Sequence, residues 1–259
     1  MSEELPTVVE ITRVVEETPS VRTFYFDHRF SFIPGQFVMV WVPGVDEVPM
    51  ALSSGDAITV QRVGDATGAL FKMRAGSRLG IRGPFGTGFP RDGGVLAVAG
   101  GVGAAPLMPL VREGLVKTFL LGSRTSCELP FAREIPEYTN LHVSTDDGSQ
   151  GYHGSVVDLM AKYRLREYKR ICTCGPEPMM AAIWKLLENA GITDRGAFSL
   201  HRYMKCGIGV CGSCCIDPSG GRVCREGPVF SGDSLRDSEF GHYRRGPSGE
   251  RDIVWDRQP

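Results

Sequence analysis

The sequence lacks the features of several protein classes. No apolar run approaches the roughly 18 residues that a membrane-spanning helix needs, and the acidic start Met1-Ser2-Glu3-Glu4 is unlike the basic start of a signal peptide. The formal net charge is only -1, and the Lys and Arg residues are dispersed, so the charge does not attract nucleic acid. There is no internal repeat, and only the tail after Ser231 is biased in composition. We expect a globular protein, with neither a membrane nor a nucleic acid as partner.

Histidine is also scarce, which makes histidine-based catalysis a weak hypothesis. The chain has five histidines, and each is isolated in the sequence. We interpret them as surface or structural residues.

Cysteine, in contrast, is present in a specific pattern. One segment has the spacing C-x4-C-x2-C, followed by a distant fourth cysteine, which is typical of plant-type 2Fe-2S sites. Structural zinc is usually bound by two C-x2-C hooks, and this segment has only one. Glycines between these cysteines allow the backbone to pass close to a cluster. The predicted cluster ligands are Cys206, Cys211, Cys214 and Cys224.

Cys215 competes with Cys214 for the third ligand position. The spacing from Cys211 favours Cys214, and the next side chain of an extended segment points to the opposite face. We interpret Cys215 as a packed apolar thiol. The other three cysteines form no disulfide framework, so we expect a reducing, cytoplasmic location; they are Cys127, Cys172 and Cys174.

Up to about Pro90 the sequence has short β-like runs separated by turn signals. Such runs predict a small antiparallel barrel. The predicted strands are residues 8–15, 21–26, 36–42, 57–63 and 77–82, and residues 67–74 are predicted to be helical.

From Gly94 the pattern changes to that of a parallel α/β domain. An apolar strand at residues 95–99 is followed by a glycine turn at residues 100–106 and by an amphipathic helix from about Leu107, which is the opening of a nucleotide-binding βαβ unit. Further strands are predicted at residues 117–121, 141–145 and 170–174, and helices at residues 155–163 and 178–190. After Ile192 little regular periodicity remains.

The glycine turn is a moderate signal, because Pro106 replaces the third glycine of G-x-G-x-x-G. Two other polar or glycine-containing runs also follow predicted strands, at the sheet edge where α/β proteins bind ligands. Cys174 lies in one of them, beside a nicotinamide ring or packed under the sheet, and we leave both interpretations open. The predicted NAD-binding residues are Gly100, Gly101, Val102, Gly103, Ala104, Asp146, Asp147, Cys174, Gly175 and Pro176.

Together these motifs resemble the ferredoxin-NADP reductase superfamily, and within it the electron transfer subunits of NAD-linked dihydroorotate dehydrogenases. The resemblance covers nearly the whole chain. It implies an antiparallel FAD-binding β-barrel at residues 1–91, a Rossmann-like parallel α/β NAD-binding domain at 92–193, and a 2Fe-2S domain with a C-terminal tail at 194–259.

The family's flavin signature is Arg-x-(Tyr or Ile)-Ser, and the matching residues here keep the serine but not the arginine. By resemblance, Arg62 on the next strand supplies the missing charge, and a helix start near Thr67 faces phosphate. The FAD residues implied by the resemblance are Met50, Ala51, Leu52, Ser53, Val60, Gln61, Arg62, Ala66 and Thr67.

The resemblance also implies a function. Electrons from dihydroorotate oxidation on an FMN-containing partner subunit pass through the cluster and FAD to NAD in pyrimidine biosynthesis, in a heterotetramer of two plus two subunits. Arg124 leaves NADP open, because it follows the second strand and can accept a 2'-phosphate. Two alternatives remain: a flavin subunit of a sulfhydrogenase or ferredoxin-NADP transhydrogenase, and a zinc-bearing nucleotide-binding module without redox turnover.

Overall fold

The structure is a computed structural model, and it describes residues 5–253. The acidic start Met1–Glu4 and the last six residues of the tail lie outside the described residues.

The first part of the chain is a closed antiparallel barrel, as predicted. Around the barrel the strands follow the order β1-β2-β5-β4-β3-β6. The apolar residues of alternate positions fill its interior, and Phe24, Val38, Leu52 and Ile58 are fully buried there. The strands are β1 (Thr7–Thr18), β2 (Val21–Phe26), β3 (Phe37–Val42), β4 (Asp46–Ser54), β5 (Ala57–Gln61) and β6 (Arg78–Phe85).

The second part is a seven-stranded sheet of order β10-β9-β8-β7-β11-β12-β15. All of its pairs are parallel except β12 with β15. Its strands are β7 (Val95–Gly100), β8 (Val116–Ser123), β9 (Asn140–Thr145), β10 (Tyr152–His153), β11 (Arg170–Cys174), β12 (Gly196–Ser199) and β15 (Val229–Ser231).

Four α-helices accompany these strands: α1 (Asp65–Leu70), α2 (Met108–Arg112), α3 (Val156–Met160) and α4 (Glu177–Asn189). Two differ from the prediction. The barrel helix begins two residues before Thr67, and the predicted helix from Leu107 is mostly a 3-10 helix, Gly101–Leu107, followed by the short α2. Pro106 and Pro109 explain the second difference, since proline lacks the amide that an α-helix interior needs.

The cysteine segment is less regular and carries two small hairpins. They are β13 (Cys215–Ile216) with β14 (Gly221–Arg222), and β16 (Tyr243–Arg245) with β17 (Arg251–Ile253). Two strands from beyond residue 193, β12 and β15, belong to the sheet of the second part. The division at residues 91 and 193 stays a prediction.

No helix among residues 5–253 combines the length and the apolar character required to cross a membrane.

Candidate functional site

Backbone amides surround the sulfurs of the predicted cluster ligands. The Gly209 amide donates to Cys224 Sγ at 3.2 Å, and the Val210 amide donates to Cys206 Sγ at 3.4 Å. The Cys224 amide lies 3.5 Å from Cys214 Sγ. Glycines 207, 209 and 212 have φ values of 73°, 79° and 75°, a conformation that turns successive amides inward. Amides donated to thiolates stabilise their charge, as iron-sulfur sites require.

The sulfurs lie in two pairs. The Cys211 side chain is among the groups that lower the pKa of Cys206, and the Cys214 side chain is among those that raise the pKa of Cys224, so the four thiols interact as two neighbouring pairs. Within residues 5–253 no three such side chains converge on a point that would hold a single metal ion. Two pairs suit a binuclear cluster, in which each iron takes two cysteines, better than one tetrahedral zinc. The donor set therefore fits a 2Fe-2S cluster.

Cys206 and Cys224, one from each pair, differ in acidity. Burial raises the pKa of Cys206, but hydrogen bonds from three backbone amides of its own loop outweigh burial and lower that pKa to about 6. Burial, followed by the neighbouring Cys214 thiol, raises the pKa of Cys224 to about 12. Since the ligands bind iron as thiolates, cluster assembly must release a proton from Cys224.

Cys215 lies on β13, where it pairs with Arg222. Its thiol is half-buried, while Cys214 is 2% exposed and belongs to the main core beside Cys224. Burial, and then the Cys214 thiol, raise the pKa of Cys215. This placement supports Cys214 as the third ligand.

The cluster loop, which we define as residues 206–214, packs on the outer surface of the barrel. A Cβ atom at Gly207 would lie 2.8 Å from Met39 Cγ, so the loop backbone touches β3 directly. Arg82 of β6 donates to the Cys206 carbonyl at 3.2 Å while it pairs with Glu47 at 2.6 Å. Met39 is fully buried in the same core as Cys214. The loop is thus fixed against the barrel.

The predicted flavin strand is the immediate neighbour of β3. Phe37 pairs with Ala51 and Val38 with Met50, so β4 runs beside β3, the strand on which the cluster loop packs. Leu52 and Val60 point into the barrel core. These two residues can contact a flavin only through their backbone.

Two other predicted FAD residues differ in availability. The Arg62 guanidinium is exposed and stacks over Phe71 at 5.7 Å, and no acidic partner for it occurs among the described residues. The Thr67 hydroxyl is engaged locally, accepting from the amides of Val63 and Gly64 at 2.9 Å. Ala66 is buried beside it. An unpaired cation at this edge fits a phosphate group, as the resemblance implies.

The structure brings together the two predicted nucleotide loops at the centre of the sheet. Strand β7 has β8 on one side and β11 on the other, which is the switch point where open α/β sheets bind ligands. A Cβ at Gly103 would lie 2.2 Å from the Cys174 carbonyl, and one at Gly100 would lie 2.7 Å from Pro176 Cδ. Gly101, with φ of 52°, faces open space. This cradle fits the backbone approach of a pyrophosphate.

Asp146 and Asp147 lie farther away, after β9, which is two strands from β7. Their amides donate to the carbonyls of Ser123 and Arg124, which joins this loop to the end of β8. Hydrogen bonds from the Ser149 hydroxyl and amide lower the pKa of Asp147. They line the same edge of the sheet but do not touch the central cradle.

Cys174 ends β11, between Ala99 of β7 and Ser199 of β12. Burial raises the pKa of its thiol to about 11, so the thiol stays protonated at neutral pH. A nucleophilic role has no support here, because a thiolate is the reactive form.

Two arginines at the site are absent from the residues predicted from the sequence. Arg82 contacts the cluster loop, as described, and Arg112 of α2 donates to the Ser53 carbonyl at 2.6 Å and pairs with Glu134 at 2.7 Å. Both contacts join distant parts of the chain. The only local signal is an arginine in an otherwise apolar strand or helix, which is weak.

Comparison with known proteins supports these observations. The profile of the iron-sulfur cluster binding domain of dihydroorotate dehydrogenase B matches residues 201–236. The chain is 49% identical over 256 residues to a probable dihydroorotate dehydrogenase B (NAD(+)), electron transfer subunit, of Methanocella arvoryzae, covering 96% of this chain and 99% of the relative. A protein of the same description from Methanocaldococcus jannaschii is 44% identical, covering 96% and 98%.

Solved structures with the same architecture include flavin enzymes. A structure of NADH-dependent reduced ferredoxin-NADP oxidoreductase, described in terms of flavin-based electron bifurcation, has a TM-score of 0.77 at 29% identity and covers 88% of this chain and 89% of its own. A ferredoxin reductase in carbazole 1,9a-dioxygenase has a TM-score of 0.65 at 25% identity, covering 74% and 67%.

Proposed function

Because the chain belongs to the family of dihydroorotate dehydrogenase B electron transfer subunits, we propose that it passes electrons from dihydroorotate oxidation through a 2Fe-2S cluster and FAD to NAD+. The protein is an oxidoreductase subunit, and dihydroorotate itself is oxidised on a separate catalytic subunit. This reaction belongs to pyrimidine biosynthesis.

One observation carries the proposal most directly. The cluster loop rests on β3, and the neighbouring strand β4 carries the flavin signature. On this proposal the one-electron site packs on β3, and the flavin site lies on the neighbouring strand of the same barrel. Such proximity is what electron transfer between the two groups requires.

The bound groups divide the chemistry, because nicotinamide exchanges two electrons as hydride and a 2Fe-2S cluster takes one, so the flavin connects them. The protein contributes binding and orientation. We assign Cys206, Cys211, Cys214 and Cys224 to the cluster, with the amides of Gly209 and Val210 holding the charge on the sulfurs.

For FAD we propose that residues 50–53 of β4 and residues 60–61 of β5 hold the flavin by backbone contacts, while Arg62, directly after β5, binds the pyrophosphate in place of the missing arginine. Ala66 and Thr67 then support the loop before α1. Arg112 holds the Ser53 carbonyl from the opposite side, which fixes the end of β4.

For NAD we propose the cradle of Gly100, Gly101, Val102, Gly103 and Ala104, with Cys174, Gly175 and Pro176 beside the nicotinamide. Asp146 and Asp147 lie toward the far end of the dinucleotide. Arg124 is exposed at the end of β8, where it can also accept a 2'-phosphate, and we retain NAD because the relatives are described as NAD(+)-linked.

The partner is a catalytic subunit, as the relatives' description as electron transfer subunits implies. We propose that it carries FMN and assembles with this chain as two plus two subunits. The cluster loop supports such a contact, because Cys211 is exposed and Val210 is 78% exposed at its tip. We propose a cytoplasmic location, which is supported by the cysteines outside the proposed ligand set, Cys127, Cys172, Cys174 and Cys215, because none of them forms a disulfide within residues 5–253.

The decisive experiment is copurification with the catalytic subunit, followed by an assay of dihydroorotate-dependent NAD+ reduction. The matched control is Cys211→Ser, which removes one exposed ligand. We expect this variant to lose dihydroorotate-dependent NAD+ reduction and to keep NADH-dependent ferricyanide reduction, which needs only FAD and the NAD site.

Other outcomes would refute the proposal in distinguishable ways. A complex that reduces NAD+ with hydrogen or reduced ferredoxin, and not with dihydroorotate, would support the sulfhydrogenase or transhydrogenase alternative. Colourless protein with zinc and no iron would exclude electron transfer through this segment. Flavin extraction and native mass spectrometry test the FMN and the two-plus-two stoichiometry.

A further inference from the structure

Three charged side chains form a buried ionic group between the nucleotide-binding sheet and the segment that carries the iron-sulfur ligands. Arg202 donates to Glu177 through two nitrogens, at 2.6 and 3.0 Å, and to Glu239 at 2.9 Å. The side chains are 1%, 8% and 0% exposed, respectively. Among residues 5–253, Arg202 and Glu239 are the only charged residues that are buried as whole residues, and Glu177 buries its side chain while its backbone is partly exposed.

Both carboxylates also hold backbone amides of other segments. Glu177 accepts from the Gly241 amide at 2.9 Å, and Glu239 accepts from the Asp217 amide at 3.0 Å. The Arg202 guanidinium further donates to the His201 carbonyl at 2.9 Å. Each charged side chain therefore has several hydrogen-bond partners, and the ionic group joins four separate segments of the chain.

The four segments joined by this ionic group adjoin both the nucleotide loop and the iron-sulfur ligands. Glu177 is the first residue of α4 and directly follows Cys174-Gly175-Pro176, the loop assigned to the nicotinamide. Arg202 precedes Cys206 by four residues, and the Asp217 amide is at the end of the hairpin strand that begins at Cys215. One carboxylate thus belongs to the residue that directly follows the nucleotide loop, and the other binds the amide that directly follows the first strand of the iron-sulfur hairpin.

Stability alone is a poor explanation for such a group. Ions lose hydration on burial, and apolar residues of similar volume often replace a buried ion group without loss of stability. Apolar side chains cannot replace the directional hydrogen bonds by which one guanidinium holds two carboxylates in fixed positions. The three side chains therefore supply orientation.

We propose that Arg202 is a positioning residue that holds the nicotinamide loop through Glu177 and the iron-sulfur hairpin through Glu239. This proposal rests on the proposed function. It adds that one buried arginine positions both electron-transfer sites, each through a different carboxylate.

The test compares Glu177→Gln and Glu239→Gln in this chain alone, reconstituted with FAD and cluster. The first readout is the KM for NADH in ferricyanide reduction, which needs no cluster. The second is the rate at which the visible absorbance of the cluster is lost in the presence of an iron chelator. The control is Glu188→Gln, which removes an exposed ion-pair partner of Arg236 on the same helix.

We expect each carboxylate variant to change one readout and to leave the other unchanged. Glu177→Gln raises the KM for NADH by about tenfold, because small displacements at a binding loop are costly, and it leaves cluster loss near the wild-type rate. Glu239→Gln accelerates cluster loss by about tenfold, as outer-shell changes at metal sites do, and leaves the KM unchanged. Arg202→Met changes both readouts, and Arg202→Lys restores them in part.

The proposal is overturned if both Gln variants keep the wild-type KM and cluster-loss rate, or if each variant changes both readouts equally. If Arg202→Met fails to fold, the two Gln variants still decide the question. Failure of the proposed function is distinguishable, because it appears as absent dihydroorotate-dependent activity in the wild-type complex, whereas these readouts use the isolated chain.

Discussion

Gly207 offers a quantitative test of how the cluster loop is held against the barrel. Its φ is 73°, and an added Cβ would lie 2.8 Å from Met39 Cγ. Gly212 has nearly the same φ, 75°, but its nearest neighbour for a Cβ is Cys215 Sγ at 3.9 Å. Alanine at either position therefore carries similar backbone strain, and only Gly207→Ala adds a steric clash.

The expected magnitudes follow from these two terms. The left-handed conformation costs about 1–2 kcal/mol for alanine, which is the whole expected loss for Gly212→Ala. Gly207→Ala adds the cost of overpacking, about 1–3 kcal/mol. The excess at position 207 should fall in a Met39→Ala background, because that variant lacks the Cγ atom with which the alanine collides.

The assay is urea unfolding of the reconstituted protein, followed by the visible absorbance of the cluster and by circular dichroism. A double-mutant cycle with Met39→Ala isolates the contact, and coupling energies between touching residues are about 0.5–3 kcal/mol. Equal losses for Gly207→Ala and Gly212→Ala, or no coupling to Met39, would refute the inference that direct packing on β3 holds the loop.

Three further predictions concern the cofactor sites. Cys214→Ser should lose the cluster, and Cys215→Ser should retain it, as measured by iron content and visible absorbance; the reverse pattern would assign the third ligand to Cys215. In cluster-free protein, alkylation of Cys206 should stay fast above about pH 6 and slow below it, because its lowered pKa keeps the thiolate until that pH; a midpoint near 9, the ordinary thiol value, would contradict the loop hydrogen bonds. Arg62→Gln should weaken FAD binding about tenfold or more, since a hydrogen bond to a charged group contributes about 1.5–3 kcal/mol; unchanged affinity in a fluorescence titration would exclude Arg62 as the pyrophosphate contact.

Strands with a clear pattern could be predicted closely from the sequence. The predicted bounds of β2 and β11 agree with the structure at residues 21–26 and 170–174. Strand β4 runs from residue 46 to 54 and is absent from the strands predicted by pattern; only the flavin signature at residues 50–53 falls within it. It begins with Asp46 and Glu47 and contains Pro49, which are residues that disfavour strands. Pairing of residues 46–51 with β3 overrides that preference.

The cluster ligands could be predicted because their chemistry fixes a short local spacing. The residues that support them could not, because their contacts join distant positions. Arg82 lies 124 residues from the carbonyl it binds at Cys206, and Arg202 lies 37 residues from Glu239. No periodicity or motif relates such pairs, since only the assembled barrel and sheet bring them together.

The placement of β15 has a consequence for how the protein is made. Residues 229–231 pair with β12 and cover an edge of the large sheet, yet they follow all four cluster cysteines in the chain. During synthesis the sheet edge at β12 therefore stays open until the cysteine segment has left the ribosome, and an open edge is a template for aggregation. All four cluster cysteines are thus synthesised before that edge can be protected.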